Sequence, residues 1–237
     1  EAGDGDLCAA GFGGGPDGTL TPAHGFGRLD TWHRSDIKDT IAQDGRLLVE
    51  YELDYAMDHQ DFPYDYTTYV RVKFTPEYLQ VFMEVTNDGD EPFSFEGAFH
   101  TYLRVGDVRR ISIDGLDGAE YLDKAAGAPA QFGKQEGTLT ITGETDRVYR
   151  HKDTVVIDDP VLGRKLEISK SGSADTVVWN PWVDKAAAMA DFGDDEWTSM
   201  ICIEAANTGA DAIRLLPALT DAFARRLSPH NLDKLAG

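Results

Sequence analysis

Cysteine is nearly absent from this chain: 237 residues hold only Cys8 and Cys202. Their spacing gives neither a metal knuckle nor a disulfide framework, so two reduced thiols in a reducing compartment are expected. No apolar run approaches the length that spans a bilayer. Positive charge is also scarce, with 22 Lys and Arg against 42 Asp and Glu and a formal net charge of -20. Such a surface repels nucleic acid and anionic membrane, both of which are polyanions, and solubility is its simplest role. Among the six histidines no two stand at ligand spacing, which argues against a zinc site. No hydrophobic signal segment is visible and the chain starts at Glu1 without an initiator methionine. The expectation is a cytoplasmic protein, with a plastid or other organelle after transit-peptide removal as the alternative.

What is present is strand after strand. Val49, Tyr51, Leu53 and Tyr55 alternate with Leu48, Glu50, Glu52 and Asp54, a period of two. The segments from Tyr66 to Phe74 and from Leu79 to Val85 repeat that pattern, and Asn87-Asp88-Gly89-Asp90 supplies turn chemistry after them. Shorter strands are expected at 93–105, 109–113, 138–142, 154–157, 165–169, 176–179, 199–204 and 212–215. Residues 1–20, rich in glycine and aspartate, read as loop. Only 184–190 and 219–227 read as helix, the second ending before Ser228-Pro229. Many short strands and few helices argue a sandwich or barrel, and no linker divides the chain, so one domain over 1–237 is expected.

A few residues stand out chemically. Glu204 closes the apolar run Met200-Ile201-Cys202-Ile203-Glu204, where a carboxylate is costly unless paired or functional. Alternation places it on the same face as Cys202 and Met200, which favours an inward orientation. His100 lies mid-strand among aromatic and small residues, and His24 lies in a glycine-flanked loop. A hydrogen-bonded structural histidine is the ordinary alternative for each. Arg28 follows His24 by four positions and is a candidate anion contact, with a surface salt bridge as the plain alternative. Asp146 could hold a sugar hydroxyl, but a turn cap or a pair with Arg147 is the simpler reading of the residue alone. Trp32, Trp179, Trp182 and Trp197 could stack on a sugar, although tryptophan usually packs in a core.

Several segments together resemble the aldose 1-epimerase family, and within it the glucose-6-phosphate 1-epimerase branch that includes plant apospory-associated protein C. They are Pro22-Ala23-His24-Gly25-Phe26-Gly27-Arg28, the run from Phe95 to Tyr102, and Asp114-Gly115-Leu116-Asp117-Gly118 with Tyr121-Leu122-Asp123-Lys124. The run from Gly143 to Tyr149, Trp179-Asn180-Pro181-Trp182 with Asp191-Phe192-Gly193-Asp194-Asp195, and the run from Cys202 to Asn207 complete the set. The resemblance implies an all-β, galactose-mutarotase-like sandwich (a supersandwich) with few short helices. It implies His100 as general acid and Glu204 as general base, with Arg28 on a phosphate, Asp146 on the sugar and His24 beside the substrate. It implies a hexose 6-phosphate or related sugar as the bound molecule, and neither metal nor organic cofactor.

The chain also departs from that family. The arginine of an Arg-Gly-Gly-Ile-Pro segment falls near Ala2, in Glu1-Ala2-Gly3-Asp4-Gly5-Asp6, and Ala23 stands where glutamine is usual. Ala9-Ala10-Gly11 replaces an aromatic-proline run, and Leu216-Pro217-Ala218-Leu219 replaces Pro-Gly-Glu. The family's early strands lie before Glu1, so the expected domain is N-terminally truncated relative to the family. Retention of His100 and Glu204 favours an isomerase acting on a hexose 6-phosphate by acid/base ring opening. The alternative is a non-catalytic mutarotase-like subunit of a larger, organellar complex, with a protein partner over the place of the missing strands. A glycoside hydrolase using Glu204 and Asp146 is the weakest reading.

Overall fold

A computed structural model of the chain describes residues 6–9, 25, 27, 29, 31–41, 47–56, 62, 64–125 and 131–231, with the backbone alone for 6–9, 33–41, 47–56 and 231. The first strands are β1 (Asp6–Ala9), β2 (His33–Ile41), β3 (Leu47–Ala56), β4 (Tyr66–Phe74) and β5 (Leu79–Asn87). Short strands follow as β6 (Phe93–Phe95), β7 (Gly97–His100), β8 (Tyr102–Arg104), β9 (Ser112–Asp114), β10 (Glu120–Asp123) and β11 (Gln131–Lys134). Then come β12 (Thr145–Arg150), β13 (Val155–Asp159), β14 (Arg164–Ser171), β15 (Asp175–Asn180), α1 (Trp182–Ala188), β16 (Met200–Asn207), β17 (Ile213–Leu215) and β18 (Thr220–Asn231).

Two antiparallel sheets hold nearly all of these strands. The front sheet runs β1-β7-β16-β15-β12-β10-β11, with β8 also paired to β16, and the back sheet runs β2-β3-β4-β5-β18-β14-β13-β9. β17 and β6 form a separate two-stranded ribbon. The central front strands β15 and β16 are buried along their whole length. Their apolar stretches Val177–Trp179 and Met200–Ile203 therefore carry hydrophobic side chains on both faces. Between the sheets lie Ile113, Tyr149, Ile157, Ile168, Val178, Ile201 and Ile203 in one cluster. Val70, Met83, Val85, Phe99, Ala205 and Phe223 form a second. Each such apolar side chain contributes roughly 1.5–3 kcal/mol on burial.

Four expectations need correction. Residues 219–227, expected as helix from their alanine and arginine, fall in β18, apart from Leu219 just before it. That strand is paired on both sides, Phe223 with Met83 and Ala224 with Ser171. Phe223, Arg225 and Leu227 all point inward and are buried. Two-sided pairing and a period of two override helix propensity here. Pro229 lies beyond Leu227–Leu79, the last pair with β5, where only β14 flanks it and a missing N–H is tolerated. Second, 93–105 is not one strand. Glu96 breaks it, buried, with Oε1 accepting from the Gly209 amide, and β6 pairs away with β17. Third, 138–142 yields only an isolated bridge between Leu139 and Ile113, and of 109–113 only Ser112 and Ile113 are strand, in β9, after a turn at 108–110. Fourth, the presumed loop 1–20 contains β1, whose Leu7 pairs with Phe99, while the glycine run 11–18 lies outside the described residues.

Gly172, directly after β14, shows how closely the chain passes the neighbouring strand β18 of the back sheet. Its φ is +71°, and a Cβ there would lie 2.1 Å from the Ala222 carbonyl oxygen, so only glycine fits.

Candidate active site

Strand register sets the site. β16 pairs with β7 at Ala206–Ala98 and with β8 at Cys202–Tyr102, which brings His100 opposite Glu204. On the other side Glu204 pairs with Val177, Val148 pairs with Val177 and with Leu122, and Phe132 pairs with Leu122. These residues make one row across the face of the front sheet that points away from the back sheet. The row beside it carries Tyr102, Cys202, Trp179 and Asp146. On the next row Ala98 is followed by Ala206, Asp175 and Arg150.

His100 Nε2 lies 3.6 Å from Glu204 Oε1. The imidazole is 17% exposed and the carboxyl 1%, so His100 is the solvent-side member of the pair and Glu204 lies behind it. Cys202 Sγ lies 3.6 Å from His100 Nδ1, on the ring's other nitrogen. Aromatic rings wall the imidazole. Tyr102 stacks on it at 5.0 Å between centroids, and Trp179 meets it edge-on at 5.5 Å. Phe192 closes the outer side, 6.5 Å from both Tyr102 and Trp179.

The Trp179-Asn180-Pro181-Trp182 turn is built by one buried amide. Asn180 Nδ2 donates to the Trp197 and Met200 carbonyls, each at 2.9 Å, and so fastens the turn to the start of β16. Asn180 Oδ1 accepts from the Trp182 amide at 2.9 Å. Trp182 sits at φ 58°, a conformation few non-glycine residues adopt, and this hydrogen bond holds it there. α1 then carries Lys185 back across the sheet, 3.1 Å from Glu144 and 3.9 Å from Asp146.

Electrostatically, Glu204 is a carboxyl out of water. Burial pushes it up to about 8, the Asp146 charge adds to the rise, and Arg225 and Lys124 oppose it. Asp146 is itself raised by burial, against Lys124 and Lys185. Arg225 reaches up from β18, 3% exposed. Its Nη1 donates to the Phe99 carbonyl at 3.3 Å, and its guanidinium lies 5.6 Å from the Phe99 ring centre. Burial lowers this guanidinium to about 10, while Glu204 and Cys202 hold it charged. Among the described residues Glu204 Oε2 has no hydrogen-bond partner.

A cavity of about 580 Å³ opens on the same sheet face, lined by Leu122, Lys124, Phe132, Val148, Arg150 and Asp175 among others. It does not include His100 or Glu204. Val148 stands two strands from Glu204, roughly 10 Å at the usual strand spacing, so cavity and pair are neighbours on one surface.

The structure thus brings together His100, Glu204 and Asp146 from the sequence candidates. Asp146 is neither a turn cap nor the partner of Arg147, since it lies within β12 and Arg147 pairs with Asp123 at 2.9 Å. His24 and Arg28 lie outside the described residues. Sequence reasoning missed Lys185 and Arg225. Arg225 was recoverable, because Phe223-Ala224-Arg225-Arg226-Leu227 places it on the inward side once the segment is read as strand.

The two large antiparallel sheets make a galactose-mutarotase-like fold. The crystal structure of YeaD from Salmonella typhimurium, described as a "putative mutarotase", superimposes with a TM-score of 0.82 at 24% identity, covering 96% of this chain and 74% of that one. A galactose mutarotase-like protein from Lactobacillus casei gives 0.70 at 15% identity over 95% and 85% of the two chains. Residues 4–219 match aldose 1-epimerase, and the chain belongs to that family.

Proteins of Cenchrus ciliaris and Escherichia coli K12, both named "Putative glucose-6-phosphate 1-epimerase", are 31% and 32% identical over 190 and 189 residues. The alignments cover 77% and 78% of this chain but 57% and 60% of those relatives. No helix among the described residues is long and apolar enough to cross a membrane.

Proposed function

We propose that the chain interconverts the α and β anomers of a hexose 6-phosphate. The opposed pair His100–Glu204, 3.6 Å apart, carries the reading. Mutarotation removes the proton of the anomeric hydroxyl while the ring oxygen gains one. The ring opens to the aldehyde, the C1–C2 bond turns, and the ring closes on the other face of C1. Glu204 takes the proton of the anomeric hydroxyl while His100 gives one to the ring oxygen, so the pair holds one proton before and after, and recyclisation reverses both roles. Asp146, one row away, orients a hydroxyl. Trp179 and Tyr102 give the sugar ring an apolar wall. Because Glu204 lies behind His100, the reaction includes a movement of the imidazole that lets the anomeric oxygen reach the carboxyl. The phosphate preference follows the names of the curated relatives, with Arg28 as its charge-assisted partner. Joint retention of acid and base counts against a binding-only role.

Exchange NMR between the anomers of glucose 6-phosphate tests this. Glu204→Gln and His100→Asn are each expected to lower the catalysed rate by about 10²–10⁴-fold. Arg28→Ala is expected to raise KM for glucose 6-phosphate while leaving that for glucose unchanged. Equal rates for wild type and Glu204→Gln would reject the assignment.

A further inference from the structure

The imidazole of His100, the thiol of Cys202 and the carboxyl of Glu204 bring three different donor atoms within 4.8 Å of one another. We propose that these three side chains form a binding site for a borderline-soft divalent cation, Zn²⁺ foremost, which locks the pair in an inactive state. The cation is an inhibitor here and not a cofactor, because it takes the place of the proton that the two groups exchange. That inhibition rests on the proposed function; the site itself does not.

The donor set selects the metal. One nitrogen, one sulfur and one oxygen suit Zn²⁺ or Co²⁺, whereas Ca²⁺ and Mg²⁺ demand shells of oxygen. Bond lengths of about 2.0–2.3 Å place neighbouring donors of a tetrahedral zinc about 3.3–3.7 Å apart. One imidazole gives one nitrogen to one ion, and the two measured contacts use different ring nitrogens, Nδ1 toward Cys202 Sγ and Nε2 toward Glu204 Oε1, each at 3.6 Å. Whichever nitrogen binds, one contact already fits, and the remaining donors, all within 4.8 Å of one another, close by up to about 1.5 Å to complete the set.

The carboxyl supplies an independent sign. Glu204 is 1% exposed, yet its Oε2 has no hydrogen-bond partner among the described residues. A buried carboxylate oxygen in that state is costly, and a cation beside it removes the cost. Thiolate and carboxylate together carry the charge that neutralises a divalent ion, so the complex is neutral where Cys202 and Glu204 are buried. His100, the exposed member, leaves the fourth position toward solvent for a water. Asp146 strengthens the field for a cation, and Arg225 and Lys124 weaken it.

Titration of metal-free protein with Co²⁺ tests the site without reference to activity. The expected result is one ion per chain and a thiolate-to-cobalt charge-transfer band in the near ultraviolet, displaced by Zn²⁺. Cys202→Ala should abolish the band, and Cys202→Ser should do the same if the alanine variant misfolds. Glu204→Gln should weaken Co²⁺ at least tenfold, while Cys8→Ala should keep the full band. Near-ultraviolet circular dichroism checks the fold of each variant. No charge-transfer band in the wild type, or one that survives loss of Cys202, would overturn the proposal. Absence of anomerase activity would reject the function and leave the metal site standing.

Discussion

His100 on β7 and Glu204 on β16 stand opposite each other in register, Nε2 to Oε1 at 3.6 Å, although they come from distant parts of the chain. The pair can exchange protons with a sugar only while it holds one proton. Fully protonated it has no base, and fully stripped it has no acid. With Glu204 lifted to about 8 by burial and Asp146, the last proton leaves the pair near that pH, and the apparent value belongs to both groups together. In metal-free buffer kcat/KM for anomer exchange, corrected for the uncatalysed rate, is therefore expected to fall as pH rises through about 8. A profile still climbing well beyond that point would show that the carboxyl is not the group losing the proton.

The same carboxyl affects stability. An ordinary glutamate titrates near 4.5, and Glu204 in the folded chain near 8. Below about 4.5 both states hold the proton and nothing is lost. Between the two values the glutamate of the unfolded chain ionises while the folded His100–Glu204 pair keeps its last proton, so stability declines across this window and levels off above about 8. Glu204→Gln removes that slope. Its Tm relative to wild type should become more favourable from about pH 5 to about pH 8, measured by calorimetry in metal-free buffer. A constant difference across the range would contradict the burial of this carboxyl away from water.

How much of this was legible in the sequence depends on the kind of signal. Glu204 was readable because Met200, Cys202 and Glu204 alternate with Ile201 and Ile203, but the expected orientation was reversed: Ile201 and Ile203 face the sandwich interior, and the set with Glu204 lies on the front sheet's other face. His100 was readable only by resemblance, since its partner depends on the β7–β16 register, a long-range fact. Asp146 looked like a turn residue because its neighbours are polar, and only pairing with Trp179 in β15 makes it part of a strand facing Glu204. β18 was missed because alanine and arginine favour helix locally, whereas its position between β5 and β14 is set by distant strands. The short breaks in 93–105 come from the buried Glu96 contact with Gly209, which no local pattern encodes.

β18 as a central strand has a direct consequence. Phe223 is 1% exposed and its ring lies 4.7 Å from that of Phe99, the residue before His100. Phe223→Ala leaves a cavity between the sheets, beneath the site, and should cost about 3–5 kcal/mol. Urea unfolding measures this, and a loss under about 1 kcal/mol would mean that the side chain does not occupy the sandwich interior.

Two charges tune Glu204 from opposite sides of the front sheet. Arg225 comes from the interior between the sheets and lowers it, while Asp146 lies on the site face and raises it; Lys124 assists Arg225. Removing either charge should therefore move the carboxyl in opposite directions. Arg225→Met is expected to push Glu204 higher and Asp146→Asn to bring it down, with Arg225→Lys nearer to wild type than Arg225→Met. The pKa is read from the carboxyl ¹³C shift of Glu204 in glutamate-labelled, metal-free protein, which separates electrostatics from any direct effect of Asp146 on sugar binding. The double variant should fall between the singles, because the two groups act on Glu204 across different paths and share no contact between them. Shifts of the same sign from both substitutions would mean that packing, rather than charge, sets the proton affinity of the site.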